Sequence, residues 1–450
     1  MSDSKILAEL RLQIEYVEPL ILVANELNPQ QHPDRQINAL VRAINEVGFL
    51  FPVLIDGANG IVAGHARVLA AIKAGLAAIP IVRADHLNEH QLRAVMLADN
   101  RLSDLSKTDP KLLAENLKLL TVEGLDLDIE SATAFTMGEI DVILEGLEGG
   151  ADDDPDDAPV VVEPGPAVNR AGDVWDLAGR HRLICGSSLD AAAWDQLMDG
   201  HKATASCSDL PYNVKIRGNV SNRADAREFA MASGEMDRDE HTDFNIEVFR
   251  LIAKHSEPAS IHMAFIDWRH LAEMQTAGEA VFSELKNVCV WDKQVGGMGS
   301  LYRSQHELIF VWKLGLGRSR NNVQLGKHGR NRTNVWSYPG VGTFRHSDEG
   351  DLLKLHVTPK PVRMIADAIL DVTARGDIVI DAFLGSGTTI IAAERVGRRC
   401  FGLEIDPHFA DIIVRRFERH SGEPAIHVAT GKTFDEIGAE RAATLDEEAA

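Results

Sequence analysis

Apolar and polar positions along this chain alternate in two rhythms, and the switches between them outline its elements. Residues 35–47 carry a helical apolar stripe that stops at Gly48. Short apolar runs at 21–27, 53–56, 60–63 and 79–82 predict strands, with a helix over 68–74 before the last of them. Pro80 lacks the N–H that a sheet ladder needs, so the run at 79–82 is expected at an edge or to begin at that proline. Helices are predicted over 89–99 and 111–120, where Pro110 suits a first turn and Asp109 a cap. Further along, 203–208, 308–312, 377–383 and 399–405 predict strands and 388–396 a helix. The alternation of strands and helices predicts an α/β fold.

These elements fall into blocks. Residues 1–130 are expected to form a small α/β domain with a helical extension, 131–172 an acidic linker, 173–420 a larger α/β domain and 421–450 a polar tail. At 450 residues with 45% hydrophobic content, the chain is too long for one core. No apolar run reaches membrane-spanning length, and the first residues lack the apolar core of a signal peptide. Four cysteines without metal-ligand spacing predict buried thiols in a reducing cytoplasm, and no metal site is expected.

The net charge of −22 argues against a nucleic-acid partner until its distribution is considered. Between residues 119 and 169 there are 14 acidic residues and no Lys or Arg, whereas 308–347 holds seven Lys or Arg and no acid. A local basic footprint governs docking more than total charge does. Arg318, Arg320, Lys327, Arg330 and Arg332, interspersed with Gly and Asn, are the candidate phosphate contacts, and a plain solvated basic loop is the competing reading. Just upstream, Trp291, Lys293, Tyr302, Arg303, His306 and Glu307 form a polar-aromatic series that could line a pocket.

Two segments carry chemistry. In the stretch 377–405, a strand, the Gly385-Ser386-Gly387 loop, a helix and a second strand form a βαβ unit, in which glycines let a ligand approach the backbone. Glu404 lies 17 residues beyond Gly387, where a carboxylate can accept both ribose hydroxyls of a nucleoside. Thr388, Thr389 and Ile390 follow Gly387 in place of a full dinucleotide fingerprint, which favours S-adenosylmethionine (SAM) over NAD. The other segment is Asp209-Leu210-Pro211-Tyr212, at the end of a predicted strand. Asp209 and the Leu210 carbonyl can accept the two N–H groups of an exocyclic base amine, Pro211 restricts Leu210 to extended backbone, and Tyr212 can stack on a flipped-out base.

With both segments in view, residues 173–420 resemble the DNA amino-methyltransferases that act on adenine N6 or cytosine N4. Asp209–Tyr212 matches their Asp-Pro-Pro-Tyr signature at three of four positions, and Asp381–Thr389 matches their SAM motif closely. The segment from His356 to Val362 resembles their His-Pro-Thr-x-Lys-Pro segment. The catalytic loop precedes the glycine loop, which is the order of the β subgroup, with target recognition between them. The resemblance implies a Rossmann-like SAM-dependent methyltransferase domain in which Asp381, Phe383, Ser386, Thr388, Thr358, Lys360 and Ser187 join Gly385, Gly387 and Glu404 around SAM. It also implies double-stranded DNA as substrate, adenine N6 as the target, a setting such as restriction–modification, and a subgroup in which homodimers are common. Leu210 stands where the family has its first proline, and Ser187 where it commonly has Asp. Cytosine N4, and a catalytically weak DNA-binding relative, remain the alternatives.

Gly60–Arg67, with Asn28-Pro29 upstream, resembles the N-terminal domain of ParB-type partition proteins. That resemblance implies a nucleotide near Gly64 and Arg67, with His65 where the family carries an acidic residue.

Overall fold

The structure, a computed structural model, describes residues 12–105, 108–121, 127–145, 157, 165–213, 234–296, 301–323, 332–340 and 359–449. The chain divides into two compact units, Met1–Gly149 and Gly150–Ala450.

In the first unit, strands β1 (Ile14–Val17), β2 (Val53–Ile55), β3 (Ile61–Ala63) and β4 (Ile79–Arg83) form one sheet in the order β1-β4-β2-β3. Helices α1 (Asp34–Val47), α2 (His65–Ala74), α3 (Glu89–Leu105), α4 (Pro110–Leu120), α5 (Ile129–Thr133) and α6 (Met137–Glu145) complete it. Gly48 ends α1 at φ +87°, and Asp109 caps α4 by accepting from the Lys111 and Leu112 N–H groups. The run at 21–27 is not a strand: Val23 makes one isolated bridge to Gly60, and Asn25 then turns the chain by accepting from the Leu27 N–H at 3.0 Å. The outer strand, on the side of β4 away from β2, is β1, four residues long and largely exposed. β4 lies inside the sheet, with Pro80 near its start. Helices α5 and α6 occupy the first residues of the stretch expected to be linker, where their apolar positions outweigh the acidic composition.

The second unit holds ten strands in one sheet: β5 (Val174–Leu177), β6 (His181–Cys185), β7 (Ala203–Asp209), β8 (Ser256–Ile266), β9 (Glu284–Asp292), β10 (His306–Lys313), β11 (Val335–Ser337), β12 (Ile378–Asp381), β13 (Arg399–Glu404) and β14 (Ala425–His427). Their order is β11-β9-β10-β8-β7-β12-β13-β6-β5-β14. The five strands from β8 to β6 in that order are parallel.

A parallel sheet is covered on both faces, and its strands show it. Val379 and Cys400 join one apolar cluster, with side chains from α10 (Val362–Val372), α11 (Thr388–Arg395), α12 (Pro407–Ser421) and α13 (Phe434–Ala449). Ile378, Ile380, Phe401 and Leu403 point the other way, toward α7 (Ala191–Met198), α8 (Arg238–Lys254) and α9 (Leu271–Val281). From β7 the chain goes on to α8 and β8 on one side, and from β12 to α11 and β13 on the other. The ends of β7 and β12 therefore form a topological switch point, where a crevice opens at the carboxyl edge.

The residues expected to be a polar tail are part of the fold. β14 pairs antiparallel with β5, Phe434 packs on Trp175 at 5.3 Å between ring centroids, and Arg441 pairs with Asp173. Phe434 is 2% exposed, so Phe434→Ala should cost about 3 kcal/mol in a urea titration. A loss below about 0.5 kcal/mol would mean that this segment does not dock.

Candidate active site

Both chemical segments come to the switch point. Asp209 ends β7 and Asp381 ends β12; the two strands pair directly, and the Ala382 N–H donates to Ser208 Oγ at 3.0 Å. The glycine loop follows at once. Gly387 has φ +84° and its missing Cβ would meet Ile413 at 3.1 Å, so a side chain there is excluded twice over. Arg416, buried on α12, donates to the Ser386 carbonyl and hydroxyl and to Thr388 Oγ1 at 3.0–3.2 Å. Asp381 accepts from Thr389 Oγ1 at 2.6 Å and from the Phe383 N–H at 3.0 Å. Asp381, Ser386 and Thr388 are thus engaged in building the loop.

Beside the loop lies a small, partly open cavity lined by Gly186, Ser188, Ala382, Phe383, Leu403, Glu404 and Ile405. Its walls are mostly apolar, with two polar groups. Glu404 accepts from the Gly385 N–H at 2.8 Å and the Asp406 N–H at 2.9 Å. The buried Ser188 hydroxyl has no hydrogen-bond partner among the described residues, which is costly unless a ligand or water supplies one. Ser187, the predicted contact, turns its hydroxyl to the Leu189 N–H at 3.2 Å, and its neighbour Ser188 reaches the cavity instead.

The Asp-Leu-Pro-Tyr loop belongs to a closed polar ring. The Tyr212 hydroxyl lies 2.7 Å from Asp209 Oδ1 and 2.9 Å from Glu307 Oε2, so its single proton is shared. Lys360 Nζ sits 2.8 Å from Asp209 Oδ2 and 2.8 Å from Glu307 Oε2. Lys293 closes the far side at 2.7 Å from Glu307 Oε1. Lys360, expected against the cofactor, therefore sits against the Asp-Leu-Pro-Tyr loop, within 5.4–5.5 Å of the ring centroids of Phe265, Tyr212 and Trp291. Burial alone would push the Glu307 carboxyl up, but the two ammonium groups hold it well below the usual carboxylate range. Burial likewise works against the Lys360 charge, and Asp209 and Glu307 overrule it.

Leu210 is 1% exposed, in the apolar cluster that includes Phe244 and Val248. From behind, His241 Nε2 donates to the Pro211 carbonyl at 3.2 Å; no pattern in the sequence singled this histidine out. Of the polar-aromatic series, Trp291, Lys293 and Glu307 reach the ring, while Tyr302 is exposed.

Among the candidate phosphate contacts, Arg318 and Arg320 are exposed. Arg332 is not: it turns inward to Asp367 at 3.2 Å and Asp371 at 2.7 Å, with its guanidinium over Trp336, which withdraws it from the solvent face expected of it. Lys327, Arg330 and Thr358 lie outside the described residues. In the first unit, Gly64 is left-handed, and the Arg67 side chain donates to the Phe51 and Pro52 carbonyls at 2.7 and 2.8 Å.

Residues 205–415 match the DNA methylase family, and residues 5–101 match the ParB N-terminal domain. The chain carries a DNA-methylase-like Rossmann domain and a ParB-like domain. The chain is similar to the type II methyltransferase M.BglII of Bacillus subtilis, at 38% identity over 96 residues, 21% of this chain and 24% of that protein. It is also similar to the type II methyltransferase M2.DpnII of Streptococcus pneumoniae, at 40% over 63 residues, 14% of this chain and 24% of that protein. The chain thus spans about a quarter of the length of these curated relatives. Among solved structures, the M1.HpyAVI–SAM complex is 16% identical with a TM-score of 0.36, covering 52% of this chain and 98% of that one.

Within this domain, burial raises the Glu404 carboxyl from 4.5 to about 7 and that of Asp381 to about 6. A folded state that binds more protons than the unfolded chain loses stability as pH rises from 4.5 toward 7. Glu404→Gln removes this dependence. Its stability relative to the wild type should therefore grow between pH 5 and 8 by up to about 3 kcal/mol, whatever constant offset the lost backbone contact adds. Chemical denaturation of both proteins at each pH checks this, and a difference independent of pH would contradict it.

Proposed function

We propose that the Gly150–Ala450 unit transfers a methyl group from SAM to the exocyclic amine of a base in DNA, with adenine N6 as the target. One observation carries the reading: a carboxylate-bearing Asp-Leu-Pro-Tyr loop and a cavity ending at Glu404 flank the ends of two directly paired strands. The cavity suits a nucleoside. Glu404 would take the ribose hydroxyls, the unpartnered Ser188 hydroxyl a further polar contact, and Phe383 the apolar face of the base, with Gly385, Ser386 and Gly387 leaving room for the backbone to approach.

SAM, when bound, supplies an electrophilic methyl carbon on a sulfonium. The chain's own residues prepare the acceptor. An exocyclic amine is a weak nucleophile because its lone pair is delocalised into the ring. Asp209 and the Leu210 carbonyl would accept its two N–H groups and favour the pyramidal nitrogen. Transfer would form the N–C bond as the C–S electron pair leaves to sulfur, and would leave the amine nitrogen cationic. Its surplus proton would pass to the Asp209 carboxylate, whose partly exposed side chain can release it to solvent. Asp at the head of the motif leans toward adenine, since relatives acting on cytosine often begin with Ser. Arg318 and Arg320, exposed in the acid-free stretch, would contact phosphates. The ParB-like domain would take a nucleotide around Gly64 and Arg67.

A second reading, a DNA-binding relative with little catalysis, is favoured by Ser187, whose hydroxyl is turned to its own backbone. Incubation with labelled SAM and plasmid DNA, followed by digestion to nucleosides, separates the two. Label in N6-methyladenine is expected; label in N4-methylcytosine would reverse the base assignment, and no label in either, with SAM bound, would favour the second reading. Asp209→Ala should reduce transfer by about a thousandfold or more while leaving SAM affinity within about threefold.

A further inference from the structure

We propose that Glu307 is a positioning residue for this transfer: it holds the Lys360 ammonium and the Tyr212 hydroxyl so that Asp209 keeps one orientation and enough of its charge for the acceptor amine. The inference rests on the methyltransferase reading above.

Glu307 is the second residue of β10, directly opposite Trp291 of β9, and so is fixed by two strands rather than by a loop. Its side chain is 12% exposed, and both oxygens are taken: Oε1 by Lys293, Oε2 by Lys360 and Tyr212. Lys360 and Tyr212 are also the two groups that hold Asp209, one on each carboxylate oxygen. Glu307 therefore touches neither donor nor acceptor in this scheme, yet it governs both contacts of the residue that does.

Charge counting shows what its loss would do. Asp209 and Glu307 carry two negative charges, and Lys360 and Lys293 two positive ones. With Glu307 neutral, Asp209 becomes the one remaining carboxylate in the ring, the ammonium concentrates on it, and the cluster is left with an excess positive charge. That excess opposes the cation that develops on the amine nitrogen during transfer. A salt bridge with only a packing role would not need to close on Asp209. The groups facing Lys360 are Asp209, Tyr212 and Cys207 from β7 and its loop and Glu307 from β10, with Lys293 beyond Glu307 and Asp381 behind Asp209.

Glu307→Gln keeps the shape and removes the charge. In the full chain it should lower kcat by about a hundredfold and leave the KM for SAM within about twofold. Competitive acetylation of Lys360 at one fixed pH near 9, read by mass spectrometry, should be about tenfold faster in the variant without any methyl transfer, because the ammonium has lost one of the two carboxylates that hold its proton. If Glu307→Gln melts at a much lower temperature, the double variant with Lys293→Met restores neutrality and should recover about tenfold of the lost rate. Wild-type turnover by Glu307→Gln, an unchanged acetylation rate of Lys360, or no recovery in the double variant would each overturn the proposal. A wild type that transfers no methyl group to any DNA would instead sink the methyltransferase reading, and the acetylation rate of Lys360 would then decide this inference by itself.

Discussion

The parallel pairing of β7 with β12 is the constraint on which the rest of the second unit depends. The two strands lie 174 residues apart at the Ala382–Ser208 contact, and they bring the two chemical segments to one edge of the sheet. Because the chain leaves them in opposite directions, neither connection covers the space above their ends. Register matters as much as adjacency. A slip of one residue would turn Ala205 and Cys207 together, or Ile378 and Ile380 together, to the opposite face and put each strand's core set on the wrong side. The apolar alternation that stabilises the sheet thus also sets where Asp209 and Asp381 emerge. Packing and site geometry are here one requirement.

Within the crevice, buried charge is handled in two ways. On the side of the Asp-Leu-Pro-Tyr loop each carboxylate has an ammonium partner, and the ring is neutral despite the −22 of the chain. Taking such charges out of water is tolerable only when the geometry is this complete. By the cavity, Glu404 and Asp381 accept backbone and hydroxyl hydrogen bonds, and burial drives them toward their protonated forms. An undercompensated carboxylate suits a ligand that brings positive charge, as a sulfonium does. A neutral ring suits an uncharged base. The two halves of the crevice are matched to different chemistry.

Much of this was legible locally. The glycine loop, Glu404, the Asp-Leu-Pro-Tyr loop and the helix ended by Gly48 depend on residues close in sequence, so spacing reveals them. Other features depend on distant partners. Lys360 meets Asp209 across 151 positions, shown by the residue numbers alone, and nothing near either residue signals it. Arg332 read as a phosphate contact because its neighbours are basic, whereas Asp367 and Asp371 on α10 draw it inward. The last thirty residues read as a polar tail because, among the described residues, α13 gives the apolar core only Phe434 and Ile437, too few to stand out in a charged segment. The misplaced first strand has a similar cause: β1 is an edge strand whose apolar residues, Ile14 and Tyr16, are exposed, so burial leaves little mark on its pattern.

Leu210 shows how a departure from a motif can be absorbed. A proline at that position would restrict the backbone through its ring, lowering the entropy of the unfolded chain. Leucine gives no such restraint, but it can be buried, and full burial of a Leu side chain is worth about 2 kcal/mol. At 1% exposure among the side chains of α8, it ties the loop to the core from one side while Pro211 limits its backbone from the other. His241, from the same helix, holds the next carbonyl. The backbone of the loop is therefore fixed by packing and a hydrogen bond instead of by a second ring. Since the chemistry asked of residue 210 belongs to its carbonyl and not to its side chain, the substitution changes how that carbonyl is held while leaving the group itself in place.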